Sequence, residues 1–183
     1  MKLFSNKVMI SLVFIWALSS CNHNQNKEEN NMEHSLRSEV VGAWKLKNYV
    51  EIDEETGEAN YPFGKQPSGF IIYTSDGYMS AQIQKNGRQL FKNNDMFGGS
   101  YEEYKDEGSG YLAYSGRFFV DEKEKKITHE MAVSLFPNWL GNKQKRLIKI
   151  EKNILNLETD GPLIFNGKMK VAKITWEKAE PNL

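Results

Sequence analysis

The sequence predicts an all-β domain: eight antiparallel strands, joined locally, that close into an up-and-down barrel with one short helix. Three observations carry this. From residue 40 to residue 178 the chain breaks into short runs in which apolar and polar side chains alternate, the period of a half-buried strand. Turn pairs such as Asp76-Gly77 and Asn166-Gly167 stand between the runs and supply the positive φ angles that hairpins need. Helix signals gather in a single short segment. Eight strands linked this way close most economically into a barrel, which leaves no unpaired edge and has room for one small ligand. A twisted sandwich is the competing arrangement of the same strands.

The N-terminus carries Lys2 and Lys7, an apolar run from Val8 to Leu18, and then Leu18-Ser19-Ser20-Cys21. The run is about eleven residues long, too short for a bilayer span of roughly twenty. Residues 1–20 therefore read as a secretory signal. The last four residues resemble the lipobox of bacterial lipoproteins, which implies acylation of Cys21, the only cysteine in the chain. Residues 21–38 are rich in amides and poor in apolar side chains, and read as a flexible tether. Lys27-Glu28-Glu29 resembles the acidic export tag of surface lipoproteins. The expected location is a bacterial cell envelope, with the lipid on Cys21 in a membrane, the outer membrane or the cell surface.

The barrel domain is expected over 39–178, with a C-terminal tail at 179–183. The first strand, "VVGAWKLKNYVEI", places Gly42, Trp44, Leu46, Asn48 and Val50 on one side. In "GFIIYTSDGYMSAQIQ" two strands flank Ser75-Asp76-Gly77, and Met79, Ala81 and Ile83 face inward. "YSGRFFVDE" and "KKITHEMAVS" form a hairpin around Glu122 to Lys125. "KQKRLIKIEKNILNLETD" supplies two strands that meet at Lys152-Asn153. "KMKVAKITWEKA" closes the domain. Between the third and fourth strands runs a long excursion, Asn86 to Gly110. Ser100 followed by Glu103 is a capping box for its helix, and Gly108 is the expected stop. A connection this long is a lid hinged at Gly98-Gly99 or a plug that shuts the barrel.

These residues also carry a family resemblance. Gly42-Ala43-Trp44, then "PFGKQPSGFIIYTSDGYMSAQI", "YLAYSGRFFV" and "THEMAVSLFPNWLGNKQKR", resemble the bacterial and fungal lipocalin-like domain family over nearly all of residues 39–178. The resemblance implies a calycin-type barrel with an internal cavity, with Trp44 closing one end. It implies no particular ligand, because fold does not fix function. The leader and tether are additions to the family's pattern.

The chain has 183 residues, with 24 basic and 24 acidic side chains and no basic block, which argues against a nucleic-acid partner. It has no Gly-x-Ser-x-Gly elbow, P-loop or dinucleotide glycine motif. His129 stands alone in the domain without a spaced metal-ligating partner, and no cofactor is expected. Ser134 has the opposite parity to His129, against a catalytic pairing of the two.

His129 shares its strand parity with Ile127, Met131 and Val133, and Arg146 shares its own with Ile148 and Ile150. Both polar groups are thereby aimed inward, among the aromatics Tyr73, Tyr111, Tyr114, Phe118, Phe136 and Trp139. Such aromatics fill the barrel, or they line a small-molecule site with a few polar groups. Trp139 sits at the rim, beyond Pro137, where the strand must end or bulge. Arg146 covers the Trp44 ring, as a late-strand arginine does in lipocalin-type barrels, or it meets a polar head group. The expected ligand-binding set is Tyr73, Tyr114, Phe118, His129, Met131, Trp139 and Arg146, with a small hydrophobic molecule bearing a polar group as the partner. The other readings are a calycin-type isomerase or cyclase and a filled structural barrel of the envelope.

Overall fold

A computed structural model describes residues 35–181. The expected signal peptide and Cys21 lie outside the described residues, as does most of the tether. Among the described residues there are two α-helices: α1 (Leu36–Val40) and α2 (Tyr101–Gly110). The strands are β1 (Gly42–Asp53), β2 (Ala59–Asn60), β3 (Ser68–Tyr73), β4 (Tyr78–Gln84), β5 (Tyr111–Asp121), β6 (Lys126–Ser134), β7 (Lys143–Glu151), β8 (Ile154–Thr159), β9 (Leu163–Phe165) and β10 (Lys168–Lys178). All ladders are antiparallel, and β1 pairs with β10, so eight strands form a closed ring in the order β1-β3-β4-β5-β6-β7-β8-β10. The short β2 and β9 flank the ring on β1 and β10. Barrel wins over sandwich because the β1–β10 ladder runs from Trp44↔Lys178 to Asp53↔Lys170 and leaves neither strand as an edge.

Up-and-down order sorts the connections by end. One end has the tight turns at 74–77, 122–125 and 152–153; the other has the long ones at 54–67, 85–110, 135–142 and 160–167. The turns form where backbone chemistry permits. Gly77 adopts φ 96°, Lys125 and Lys152 adopt φ 52° and 55°, and Asn166-Gly167 adopts 50° and 73°, the paired positive values of a type I′ turn.

The tight-turn end is sealed by α1. Residues 35–38 were expected in the tether; instead Ser35 caps a short helix whose Leu36 and Val40 are buried. The Leu36 and Arg37 N–H groups donate to the Glu122 carboxylate at 3.0 and 2.9 Å, which ties the helix N-terminus to the β5–β6 turn. Two buried aliphatic side chains contribute about 1.5–3 kcal/mol each, enough to dock five residues that could not be helical alone. Trp44 is fully buried here, and its indole N–H donates to the Val40 carbonyl at 2.7 Å. The expected arginine cover is absent. Lys178 Nζ lies 4.3 Å from the centre of the Trp44 ring and donates to the Val41 carbonyl at 2.7 Å, whereas Arg146 belongs to the opposite end of the barrel.

Two β-bulges change which residues face inward. In the β1–β10 ladder the register shifts between Leu46 and Asn48, so Trp44 and Leu46 are buried on one phase and Tyr49, Glu51 and Asp53 on the other. The regular alternation that placed Asn48 and Val50 inward fails at this point. In the β5–β6 ladder Ser115 pairs with Val133 and Gly116 with Met131, which leaves Ala132 as the extra residue. Val133 consequently turns out to solvent at 66% exposure, against its expected inward parity. Gly116 makes this bulge sterically open: a Cβ there would stand 1.9 Å from the Glu130 carbonyl oxygen.

The excursion organises itself. Ser100 and Glu103 form the expected capping box, with the Ser100 N–H donating to Glu103 Oε2 at 2.7 Å. The N–H groups of Ser100 and Lys92 hold the Glu103 carboxyl down to about 2. The helix continues through Gly108 to Gly110, past its expected stop. Phe91 packs edge-on against Tyr104 at 5.5 Å, and the Tyr104 hydroxyl donates to the Met96 carbonyl. Leu90, Met96, Phe97 and Tyr101 remain exposed.

Candidate functional site

Inside the ring the aromatic side chains form a column running from one end to the other. At the sealed end the Arg37 guanidinium lies 4.8 Å over Phe118. Phe118 meets Tyr73 edge-on at 5.0 Å, Tyr73 is 5.7 Å from His129, and His129 is 6.0 Å from Tyr114. Tyr114 meets Trp139 at 5.8 Å, and Trp139 meets Phe136 at 5.9 Å. Five of the seven expected site residues belong to this column. Met131, buried and inward on β6, packs in the same core.

The column divides into a filled and an open half. Phe118, Tyr73, His129 and Met131 are fully buried in the core. At the end of the long connections the barrel opens into a cavity of about 370 Å³, bounded among others by Tyr49, Tyr114, Trp139, Arg146, Phe165 and Ile174. None of residues 86–110 lines it, so the excursion does not fill the mouth. Three of the expected residues, Tyr114, Trp139 and Arg146, thus come together at the cavity. The other four lie in the buried core and do not line it. Tyr49 was missed, since its parity reads as outward until the bulge near Lys47 is known; the signal was the change of apolar phase from Leu46 to Tyr49.

The cavity's polar side is made by Asn142, Lys143, Gln144, Arg146 and Thr159, with the phenols of Tyr49 and Tyr114. Arg146 on β7 donates to its neighbours, through Nη1 to the Lys145 carbonyl at 2.9 Å and through Nη2 to the Gln144 side chain. The Tyr49 and Tyr114 hydroxyls have no hydrogen-bond partner among the described residues. Burial raises both phenols above their ordinary value, with Arg146 opposing the shift, so both remain neutral donors. Below them the Tyr73 hydroxyl is 2.9 Å from His129 Nε2. Burial, reinforced by the Arg146 charge, pushes His129 down to about 3, and the ring is neutral. Two inward carboxylates on β1 are already engaged. Glu51 accepts from Lys170 Nζ at 3.0 Å and from Asn60, and Asp53 accepts from the backbone of Glu55 and Thr56 and faces Lys168.

A closed eight-stranded ring, a tryptophan plug at one end and an open aromatic mouth at the other match what the first-strand and β6–β7 motifs implied. The model of the family described as "Lipocalin-like domain" matches residues 41–179. The chain belongs to the lipocalin-like domain family. This lipocalin-like protein is 35% identical, over 106 residues, to the 4′-hydroxy-3′-methoxypropiophenone carrier protein of Aspergillus oryzae; the match covers 55% of this chain and 96% of that protein. It is also similar to a lipocalin-like protein of known crystal structure from Bacteroides uniformis, at 16% identity and a TM-score of 0.39, covering 76% of this chain and 98% of that one.

Proposed function

We propose that this lipocalin-like protein is a carrier that reversibly holds a small, largely apolar, ring-containing molecule in its mouth cavity. The observation that carries the reading is the cavity of about 370 Å³, which joins an apolar and aromatic wall to a polar side made by Asn142, Lys143, Gln144, Arg146 and Thr159, with the unpartnered hydroxyls of Tyr49 and Tyr114 also on its lining. An aromatic guest stacks against Trp139 and Tyr114, while an oxygen on it accepts from the hydroxyls. The name of the Aspergillus relative supports the same class, since an aryl ketone with a ring hydroxyl has such a body and such oxygens.

The test uses the full chain and 4′-hydroxy-3′-methoxypropiophenone as probe. Saturable quenching of tryptophan fluorescence is expected, and Leu112→Trp, which fills the mouth, should abolish it without lowering the melting temperature. The probe should be recovered chromatographically unchanged. Its conversion to a new species would favour an isomerase or cyclase, and no saturable binding would favour a filled barrel.

A second part of the proposal concerns location. With residues 1–20 read as a lipoprotein leader, the carrier works at a membrane surface of the cell envelope, anchored through acylated Cys21. Cys21→Ala should release the protein from the membrane fraction or stall its processing. A variant that is cleaved normally and fractionates with membranes as before would contradict the anchor.

A further inference from the structure

Arg146 poses a charge problem that the protein does not solve. It is only 8% exposed and lines the mouth cavity. A guanidinium keeps its proton at any ordinary pH and offers five N–H donors. Two contacts are made, both to neutral oxygens: the Lys145 carbonyl and the Gln144 amide. Among the described residues no carboxylate pairs with it. Glu51, inward on β1, is neutralised by Lys170, and Glu130, on β6, faces Lys143. The other polar residues that line the cavity are Tyr49, Tyr114, Asn142, Gln144 and Thr159, none of which carries a negative charge, and Lys143, a second cation. Burial also keeps the nearby phenols and the His129 imidazole neutral. A buried cation without a counter-charge is costly, and a protein that needed only bulk here would be served better by an apolar side chain. Arg146, Tyr49 and Tyr114 border one cavity and all present donors.

We infer that the guest supplies the missing charge: it bears an oxyanion on its apolar body, and that oxyanion is received by the Arg146 guanidinium with the Tyr49 and Tyr114 hydroxyls as additional donors. The inference rests on the carrier reading and narrows it from a polar oxygen to an anionic one. A carboxylate and the phenolate of a 4-acylphenol share this chemistry. A para carbonyl acidifies the phenol, and Arg146 would lower its pKa further in the bound state. No covalent bond to the protein forms: the phenol O–H ionises on binding, its electron pair stays on the oxygen, and the proton passes to solvent.

Two arms separate the sources. The first titrates the full chain with the acylphenol probe at a pH one unit below the probe's own pKa, followed by absorbance. The expected result is the red-shifted phenolate band in the bound probe. The O-methyl ether of the probe, which cannot ionise, should bind at least tenfold more weakly. Arg146→Met should bind probe and ether within about twofold of each other and show no phenolate band. The second arm compares cinnamate with methyl cinnamate on both proteins and asks the same of a carboxylate.

An Arg146-dependent preference for either anion over its methyl derivative supports the inference and assigns the source. If the probe binds saturably but as the neutral phenol, and cinnamate is not preferred over its ester, the oxyanion is refuted while the carrier survives. If nothing binds, both fall. Because the substitution removes a buried unpaired charge, Arg146→Met should melt no lower than the parent, so lost binding cannot be ascribed to unfolding.

Discussion

The Tyr73 hydroxyl and the His129 ring form a closed pair at 2.9 Å, and the second ring nitrogen, Nδ1, is buried without a partner. A neutral imidazole has one donor and one acceptor nitrogen. If Tyr73 donates to Nε2, Nδ1 carries the orphaned proton; in the other tautomer Nδ1 is an orphaned acceptor. Either state leaves at least one polar group unsatisfied, at a cost of about 1–3 kcal/mol each. The pair is a polar rung in a column otherwise made of ring contacts.

His129→Phe alone should destabilise the domain by about 1–3 kcal/mol, since it strands the Tyr73 hydroxyl in the core. Adding Tyr73→Phe should restore most of that loss, because both partners are then apolar and Nδ1 is gone. Urea denaturation of the two single variants and the double variant checks this. A double variant no more stable than His129→Phe would show the rung to be uncoupled.

The same residue sets a pH dependence. The His129 pKa is about 3 in the folded state and 6.5 as the ordinary value. Below pH 6.5 the unfolded chain therefore takes up a proton that the folded one refuses. Its contribution is complete above pH 6.5 and is lost as pH falls toward 3, with a limiting slope of about 1.4 kcal/mol per pH unit. Between pH 7 and 5, above the range of most carboxylates, the parent should lose stability more steeply than the Tyr73→Phe/His129→Phe variant. Parallel curves would place the ring in contact with solvent.

Lys178, not Arg146, should matter for the sealed end. Lys178→Met keeps the alkyl stem over Trp44 but removes the cation and the hydrogen bond to the Val41 carbonyl, at an expected cost of about 1–2 kcal/mol. Arg146→Met should cost nothing by the same thermal melt. The reverse order would return the role of ring cover to Arg146.

How far the sequence can be read follows from what breaks its period. The turns at Asp76-Gly77 and Asn166-Gly167, the inward set Met79, Ala81 and Ile83, and the Ser100 capping box are legible because each depends on neighbours within a few residues. Bulges are not legible in this way. One extra residue near Lys47 moves Tyr49 into the cavity and Val50 out of the core, and one at Ala132 turns Val133 outward. The exchange of Arg146 for Lys178 over Trp44 depends on β10 lying beside β1, a pairing across the whole domain. The split of the aromatic set into cavity wall and filled core is likewise hidden, since parity says inward but not how far from the mouth.

Glycine supplies a paired test of the bulge. Gly116→Ala places a methyl 1.9 Å from the Glu130 carbonyl, where only backbone can give way, and should cost more than about 3 kcal/mol or prevent soluble expression. Gly108→Ala, in the exposed helix α2 with nothing within 4 Å, should be neutral or stabilise by up to about 1 kcal/mol. Thermal unfolding of both reads the contrast. A tolerated Gly116→Ala would mean that the bulge is absent.

The ring closure between β1 and β10 has a kinetic consequence. Most other ladders join strands adjacent in the chain, but this one joins residue 44 to residue 178. The hairpins can form early and independently, whereas closure waits for the final strand and carries most of the loop entropy. During synthesis the nascent domain is thus an open sheet with two unsatisfied edges until its last dozen residues emerge. Truncation or slow release at that point exposes the chain to edge-to-edge association, and factors that shield strand edges should affect its yield more than factors that accelerate turn formation.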